Sequence, residues 1–216
     1  MCLFEMGAYY RSQSLFQDYV EKSTGSLSES ELVMLGNSLR CLAEISKSSN
    51  DIQTMQRYLV EAIEVYLRIK SSEHLCDCYR SIGLCKYMGD NCLEAIKWFV
   101  RSERCLGGAR LNKSKSFDYD IAMCYSRLKL YGKCHRHLTR WLMNGQENAQ
   151  GLYHQAKCSL LLKKTRCFIK TVNKLPSVAN SQHYSQLLSK LLQADPLKLY
   201  LAFGGDLEQY IVKHQL

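Results

Sequence analysis

The chain has 216 residues, 46% of them hydrophobic and 23% charged, with a formal net charge of +9. That composition excludes a disordered chain and is enough for one sizeable core or one short array. Two prolines, and no turn signals at short regular intervals, exclude a β-sandwich.

The opening MCLFEMGAYY lacks the basic start, long apolar run and cleavage site of a secretory leader. No stretch approaches the roughly 18 consecutive apolar residues of a membrane span. A cytoplasmic or nuclear location is therefore expected. Ser28 to Glu31 forms a capping box ahead of a helix. Asp51 opens another, in which Ile52, Met55, Leu59, Ile63, Tyr66 and Leu67 make one apolar stripe. The clearest polar linker runs from Gly107 to Ser116. Pro176 ends a helix, another begins near Asn180, and Asp206 opens a short last one after Gly204-Gly205. Short turns between about a dozen helices predict antiparallel neighbours.

Gly83 lies inside a helical pattern, where glycine costs about 1 kcal/mol against alanine. Its surroundings explain it. Tyr79-x-x-Ile82-Gly83 followed by Ala95-x-x-x-Phe99 resembles the tetratricopeptide-repeat signature, with Gly89-Asp90 as the turn. Lys86 stands where that family prefers tyrosine. Ile121-Ala122-x-x-Tyr125 with Cys134-x-x-x-Leu138 keeps the spacing. Leu35-Gly36-x-x-Leu39 pairs with Ala62-x-x-x-Tyr66 across about fourteen extra residues. Leu3-x-x-Met6-Gly7-x-x-Tyr10 resembles a first helix, and Leu152 to Ala156 with Cys167 to Val172 a degenerate last copy. Longer, irregular helix pairs also occur in the soluble NSF attachment proteins and in proteasome-lid-type subunits. The sequence leaves that relative open, and an unrelated helical fold as well.

The resemblance implies an all-α fold, an α-α superhelix of antiparallel hairpins over 1–174, with capping helices over 175–216. It implies close packing of Gly83 against Ala95. It also implies a concave face lined by first helices: Val33, Asn37 and Arg40, then Arg80, Leu84, Tyr87 and Met88, then Tyr119, Met123, Ser126 and Arg127. Such a face suits a peptide or helix carrying apolar or acidic groups. The carboxylate clamp of chaperone-binding members is not expected, because Val33 stands where its basic residue would fall.

No catalytic or phosphate-binding motif occurs, so no enzyme activity and no cofactor are expected. The 11 cysteines are scattered and read as buried free thiols. Cys76 and Cys78 are two apart and point to opposite sides of a helix. Cys134 and His137 could chelate from one face with His154 or Cys158, but a packed thiol and a solvated histidine are the simpler reading, and no metal is expected.

Charge divides the chain. Residues 1–100 hold ten basic and thirteen acidic residues, and 101–216 hold nineteen and seven; within 121–174, eleven basic residues face Glu147 alone. Arg127, Lys133, Arg136, Arg140, Lys163, Lys164 and Arg166 form the candidate basic patch, which favours an acidic protein segment or, as the alternative, RNA or DNA. The expectation is a protein-interaction scaffold or adaptor. It would be a subunit of an assembly such as a cell-cycle ubiquitin ligase, or an attachment-protein-like trafficking adaptor. Exposed Leu3, Phe4 and Met6 would allow self-association at the N-terminal end.

Overall fold

The computed structural model describes residues 9–23, 27–105, 117–145 and 148–177, with 186, 189 and 190. These are all-α, with no strand among them. The chain divides into two compact units, Met1–Leu111 and Asn112–Leu216. The division falls within the polar linker, inside the stretch expected to be one array. The expected first helix with Leu3, Phe4 and Met6 lies outside the described residues, as does most of the C-terminal capping region.

In the first unit, α1 (Tyr9–Lys22) packs on α2 (Glu29–Ser48); α2 forms a hairpin with α3 (Ile52–Arg68), and α4 (Ser72–Met88) forms one with α5 (Cys92–Cys105). In the second, α6 (Asp118–Arg127) pairs with α7 (Tyr131–Met143), and α8 (Ala149–Leu161) with α9 (Thr165–Val172). Pro176 falls in a 3-10 turn, Leu175–Ser177, after α9 has ended at Val172. The Ser28 capping box is present: the Glu31 carboxylate accepts from the Ser28 N–H at 2.8 Å.

Five turns share one geometry. Asn50, Lys70, Asp90, Lys129 and Lys163 all take φ between 51° and 61°. In each, the N–H of the following residue reaches back five positions, as Asn91 does to the Lys86 carbonyl at 2.8 Å. This Schellman closure satisfies carbonyls left open at the helix end. At Gly89-Asp90 the left-handed residue is Asp90, and Gly89 keeps φ −79°.

The turns set the repeat register. Gly83 precedes Asp90 by seven residues, and Ala95 follows by five; Ala122 and Cys134 flank Lys129 identically. Gly36 precedes Asn50 by fourteen, and Ala62 follows by twelve. The fourteen extra residues therefore divide into seven per helix. Seven residues make about two turns, so both helices lengthen without rotating their apolar faces. The added turns bring their own core, in which Ala43, Met55 and Leu59 pack on Ile82 and Cys85 of α4. The same register puts Ala156 and Phe168 around Lys163, with Phe168 and Val172 buried and Cys167 half-buried. On α3, Leu67 is 53% exposed and Val65 is buried instead, which corrects one position of the expected stripe.

The space over Gly83 belongs to Phe99, one turn beyond Ala95. A Cβ on Gly83 would lie 2.6 Å from the Phe99 ring, and one on Gly36 would lie 2.6 Å from the Tyr66 ring. Burying a phenylalanine side chain is worth about 1.5–3 kcal/mol, more than the helical penalty of one glycine. Lys86, the departure from the family's tyrosine, donates to Gln56 Oε1 on α3 at 2.8 Å.

In α6, Asp118 stands where α4 has Tyr79, four residues before the small crossing residue. It is 8% exposed and accepts from Arg140 at 2.6 Å and pairs with His137 Nδ1 at 2.7 Å. Burial pushes its carboxyl up, but the His137 hydrogen bond and the Arg140 charge outweigh this and hold it below its ordinary 3.8.

Two predictions follow from this packing. Gly83→Ala should destabilise the protein by about 1–3 kcal/mol through overpacking. Gly132→Ala on α7, where nothing lies within 4 Å of the new Cβ, should stabilise it by up to about 1 kcal/mol. Chemical denaturation reads the opposite signs of one substitution. The depressed Asp118 carboxyl contributes stability that is present above pH 3.8 and lost as pH falls through its lower folded value. Asp118→Asn should therefore cost about 1–3 kcal/mol at neutral pH, with the gap from wild type narrowing in acid, as denaturation midpoints would show.

Candidate functional site

A groove of about 430 Å³ opens among α1, α2 and α4 in the first unit. Met34, Asn37, Ser38, Arg40, Cys41 and Glu44 of α2 line it, with Phe16 of α1 and Ser81 of α4. Helical spacing puts these α2 residues on one face. Its apolar part is Phe16, Leu59 and Met34, the last 56% exposed.

Two contacts organise the polar part. The Tyr66 hydroxyl donates to Asn37 Oδ1 at 2.8 Å, leaving the Asn37 amide nitrogen as donor. Tyr66 is held in turn by its packing on Gly36 and by its stack on His74, with ring centroids 4.7 Å apart. Burial raises the Tyr66 phenol to about 12 against the opposing pull of Arg40, so it stays a neutral donor. Arg40 reaches across to Asp77 of α4 at 3.4 Å, with both side chains about one-third exposed. A pair this open contributes about 0–1 kcal/mol. Its effect is to aim the guanidinium rather than to hold the helices.

Of the expected concave-face residues, Asn37 and Arg40 meet in this groove. Val33 is half-buried outside it, and Ser81 rather than Arg80 forms the α4 wall. Arg80 and Met88 are exposed, and Leu84 and Tyr87 are half-buried on the same helix. On α2 the groove face holds the expected Asn37 and Arg40 together with their neighbours Met34, Ser38 and Cys41. The run Met34, Ser38, Cys41 could have been read from its spacing, but the family register favoured its neighbour.

In the second unit, Tyr119 and Met123 pack against the core of Ala122, Cys134, Leu138 and Cys158. Tyr119 leans on Trp141, centroids 5.0 Å apart, and edges toward His154. Burial, with Lys157 nearby, lowers His154 to about 4, so it is a neutral packing group. The Cys134 and Cys158 sulfurs are 3.2 Å apart and buried, with His137 engaged by Asp118. Arg127, Lys133, Arg136, Arg140, Lys163, Lys164 and Arg166 are all exposed. Arg140 binds Asp118, and Lys133 lies over the Tyr125 ring at 5.4 Å. Seven of the cysteines are buried, while Cys41, Cys105 and Cys167 are half-buried. Among the described residues no helix is long and apolar enough to cross a membrane.

No protein-family model and no curated protein sequence matches the chain. Solved structures do. BtubC (BKLC) from P. vanneervenii superposes with a TM-score of 0.72 at 11% identity, covering 97% of this chain and 87% of that one. PilF from Pseudomonas aeruginosa gives 0.57 at 13% identity, covering 83% and 80%. Both are helical-repeat proteins, and at such identities the likeness carries the fold alone. The chain therefore has an all-α helical-repeat fold.

Proposed function

We propose that this chain is a non-enzymatic protein-interaction module of the tetratricopeptide type, cytoplasmic or nuclear, working as an adaptor or subunit of a larger assembly. The observation that carries this reading is the groove on α1, α2 and α4. Its exposed Met34 and half-buried Phe16 offer apolar anchorage, while the oriented Asn37 amide and the Arg40 guanidinium offer donors to a peptide's carbonyls or carboxylates. A bound peptide would bury the apolar wall and compete with Asp77 for Arg40.

The exposed cationic residues of the second unit favour a second reading, binding of RNA or DNA. One experiment separates the two. The full chain and a Met34→Asp/Arg40→Glu variant are used to capture partners from native extract, with and without nuclease. Under the main reading, a stoichiometric, nuclease-resistant set of proteins is retained by wild type and lost by the variant. Retention that vanishes with nuclease, and weakens steeply as salt rises, would establish the nucleic-acid reading instead.

A further inference from the structure

Two buried thiols meet where the hairpins of the second unit join. Cys134 is on α7 and Cys158 on α8, and their sulfurs are 3.2 Å apart. Cys134 is fully buried and Cys158 is 2% exposed. Helix register puts them there. The Trp141 ring of α7 covers Gly151 of α8. Seven residues, about two turns, lead back along α7 from Trp141 to Cys134, and seven lead forward along α8 from Gly151 to Cys158. Between the two contacts, Gln155 donates to the Thr139 hydroxyl at 3.1 Å. These cross-helix contacts fix an antiparallel register with the thiols opposite one another.

The spacing suits a bond between the sulfurs better than a shared metal. A disulfide needs them to approach by about 1.2 Å, to about 2.0 Å. A zinc ion, with bonds of about 2.3 Å, would hold two thiolates roughly 3.8 Å apart. His137, which could have joined such a site, is engaged by Asp118 at 2.7 Å. The two thiols are also chemically unequal. Their hydrogen bond holds Cys158 below the ordinary thiol value of 9.0 against the effect of burial, with Lys157 helping. The same bond, with burial, pushes Cys134 up. The thiolate is the reactive form, so Cys158 is the attacking group. The hydroxyl of half-buried Ser126 lies against Cys134, which gives a small uncharged oxidant a short path to the pair.

We propose that Cys134 and Cys158 are a reversible redox site, at which a peroxide makes a disulfide that staples α7 to α8 and locks the joint between two hairpins. The Cys158 thiolate attacks one peroxide oxygen. The O–O bond breaks, a sulfenic acid forms on Cys158, and the released hydroxide takes up a proton and leaves as water. Cys134 gives up its proton and attacks the sulfenic sulfur; the S–S bond forms and a second water departs. Two thiols and one hydrogen peroxide give one disulfide and two waters, with two electrons passing from sulfur to oxygen. The neighbour at 3.2 Å traps the sulfenic acid before a second peroxide oxidises it further. A small thiol reductant restores the pair by exchange, as suits a transient disulfide in a reducing compartment. The packing of neighbouring hairpins sets the curvature of a repeat array, so the staple acts on shape. The inference does not depend on the proposed peptide groove.

The full chain, reduced and then freed of reductant, is treated under native conditions with a few molar equivalents of hydrogen peroxide. Remaining thiols are alkylated, and tryptic peptides are mapped by mass spectrometry without reduction. The expected product joins Cys134–Arg136 to Cys158–Lys163, two hydrogens lighter than the separate peptides. It should disappear with dithiothreitol. The oxidised chain should melt about 5 °C or more above the reduced chain, and that rise should vanish in Cys134→Ala and in Cys158→Ala. The wild-type peptide map is decisive whether or not these variants fold. No link between Cys134 and Cys158, a link formed only in denaturant, disulfides joining other cysteines instead, or recovery of Cys158 chiefly as sulfinic acid would overturn the inference. So would a link that leaves the melting midpoint unchanged or lower.

Discussion

The structure depends on a ring laid against a bare α-carbon. Tyr66 covers Gly36, Phe99 covers Gly83 and Trp141 covers Gly151, and a methyl group at any of the three glycines would collide with the ring. Each contact lets two helices approach more closely than side chains normally allow. The area buried by one ring outweighs the propensity lost at one glycine by about a factor of two. The Tyr66 version does more than close a hairpin. Because its hydroxyl ends on Asn37, the contact that sets the α2–α3 spacing also orients an amide in the candidate groove.

The turns supply the second constraint. An L-residue at φ near 58° is strained, and four of the five residues in that state are not aspartate. Two backbone hydrogen bonds per turn offset the strain, and the next helix starts at once. Asp51 accepts from the Thr54 N–H, and Asn91 from the Glu94 N–H. A stiff three-residue turn fixes the phase of both helices, so insertions are tolerated only in lengths that return the faces to register. The seven-residue extension on each side of Asn50 meets that condition.

Phase also explains what could be read from the residues. Gly83, Ala95 and Phe99 announced the hairpin because small and aromatic residues at that spacing have few other uses. The α2–α3 pairing was legible through Gly36 and Tyr66 despite the insertion. The left-handed positions were not: Lys70, Lys129 and Lys163 carry no sequence signal for φ > 0, and Gly89 draws attention away from Asp90. The groove was legible in part: Asn37 and Arg40 line it, while Met34 and Ser81 line it beside Val33 and Arg80, which the repeat register favoured. Asp118 was invisible for another reason. A buried carboxylate replaces an aromatic only because His137 and Arg140 come from a different helix to neutralise it.

That last substitution alters the electrostatics of the second unit. In the first unit the groove cation Arg40 has Asp77 as its counter-ion on the facing helix, so a ligand must displace a weak pair and gains little from charge alone. Apolar contact should thus dominate affinity at that groove. In the second unit, Asp118 is buried beneath α7 and pairs there with Arg140 and His137. The same helical position thus serves the two units differently: Tyr79 packs as a ring in one, and Asp118 is a buried carboxylate held by Arg140 and His137 in the other.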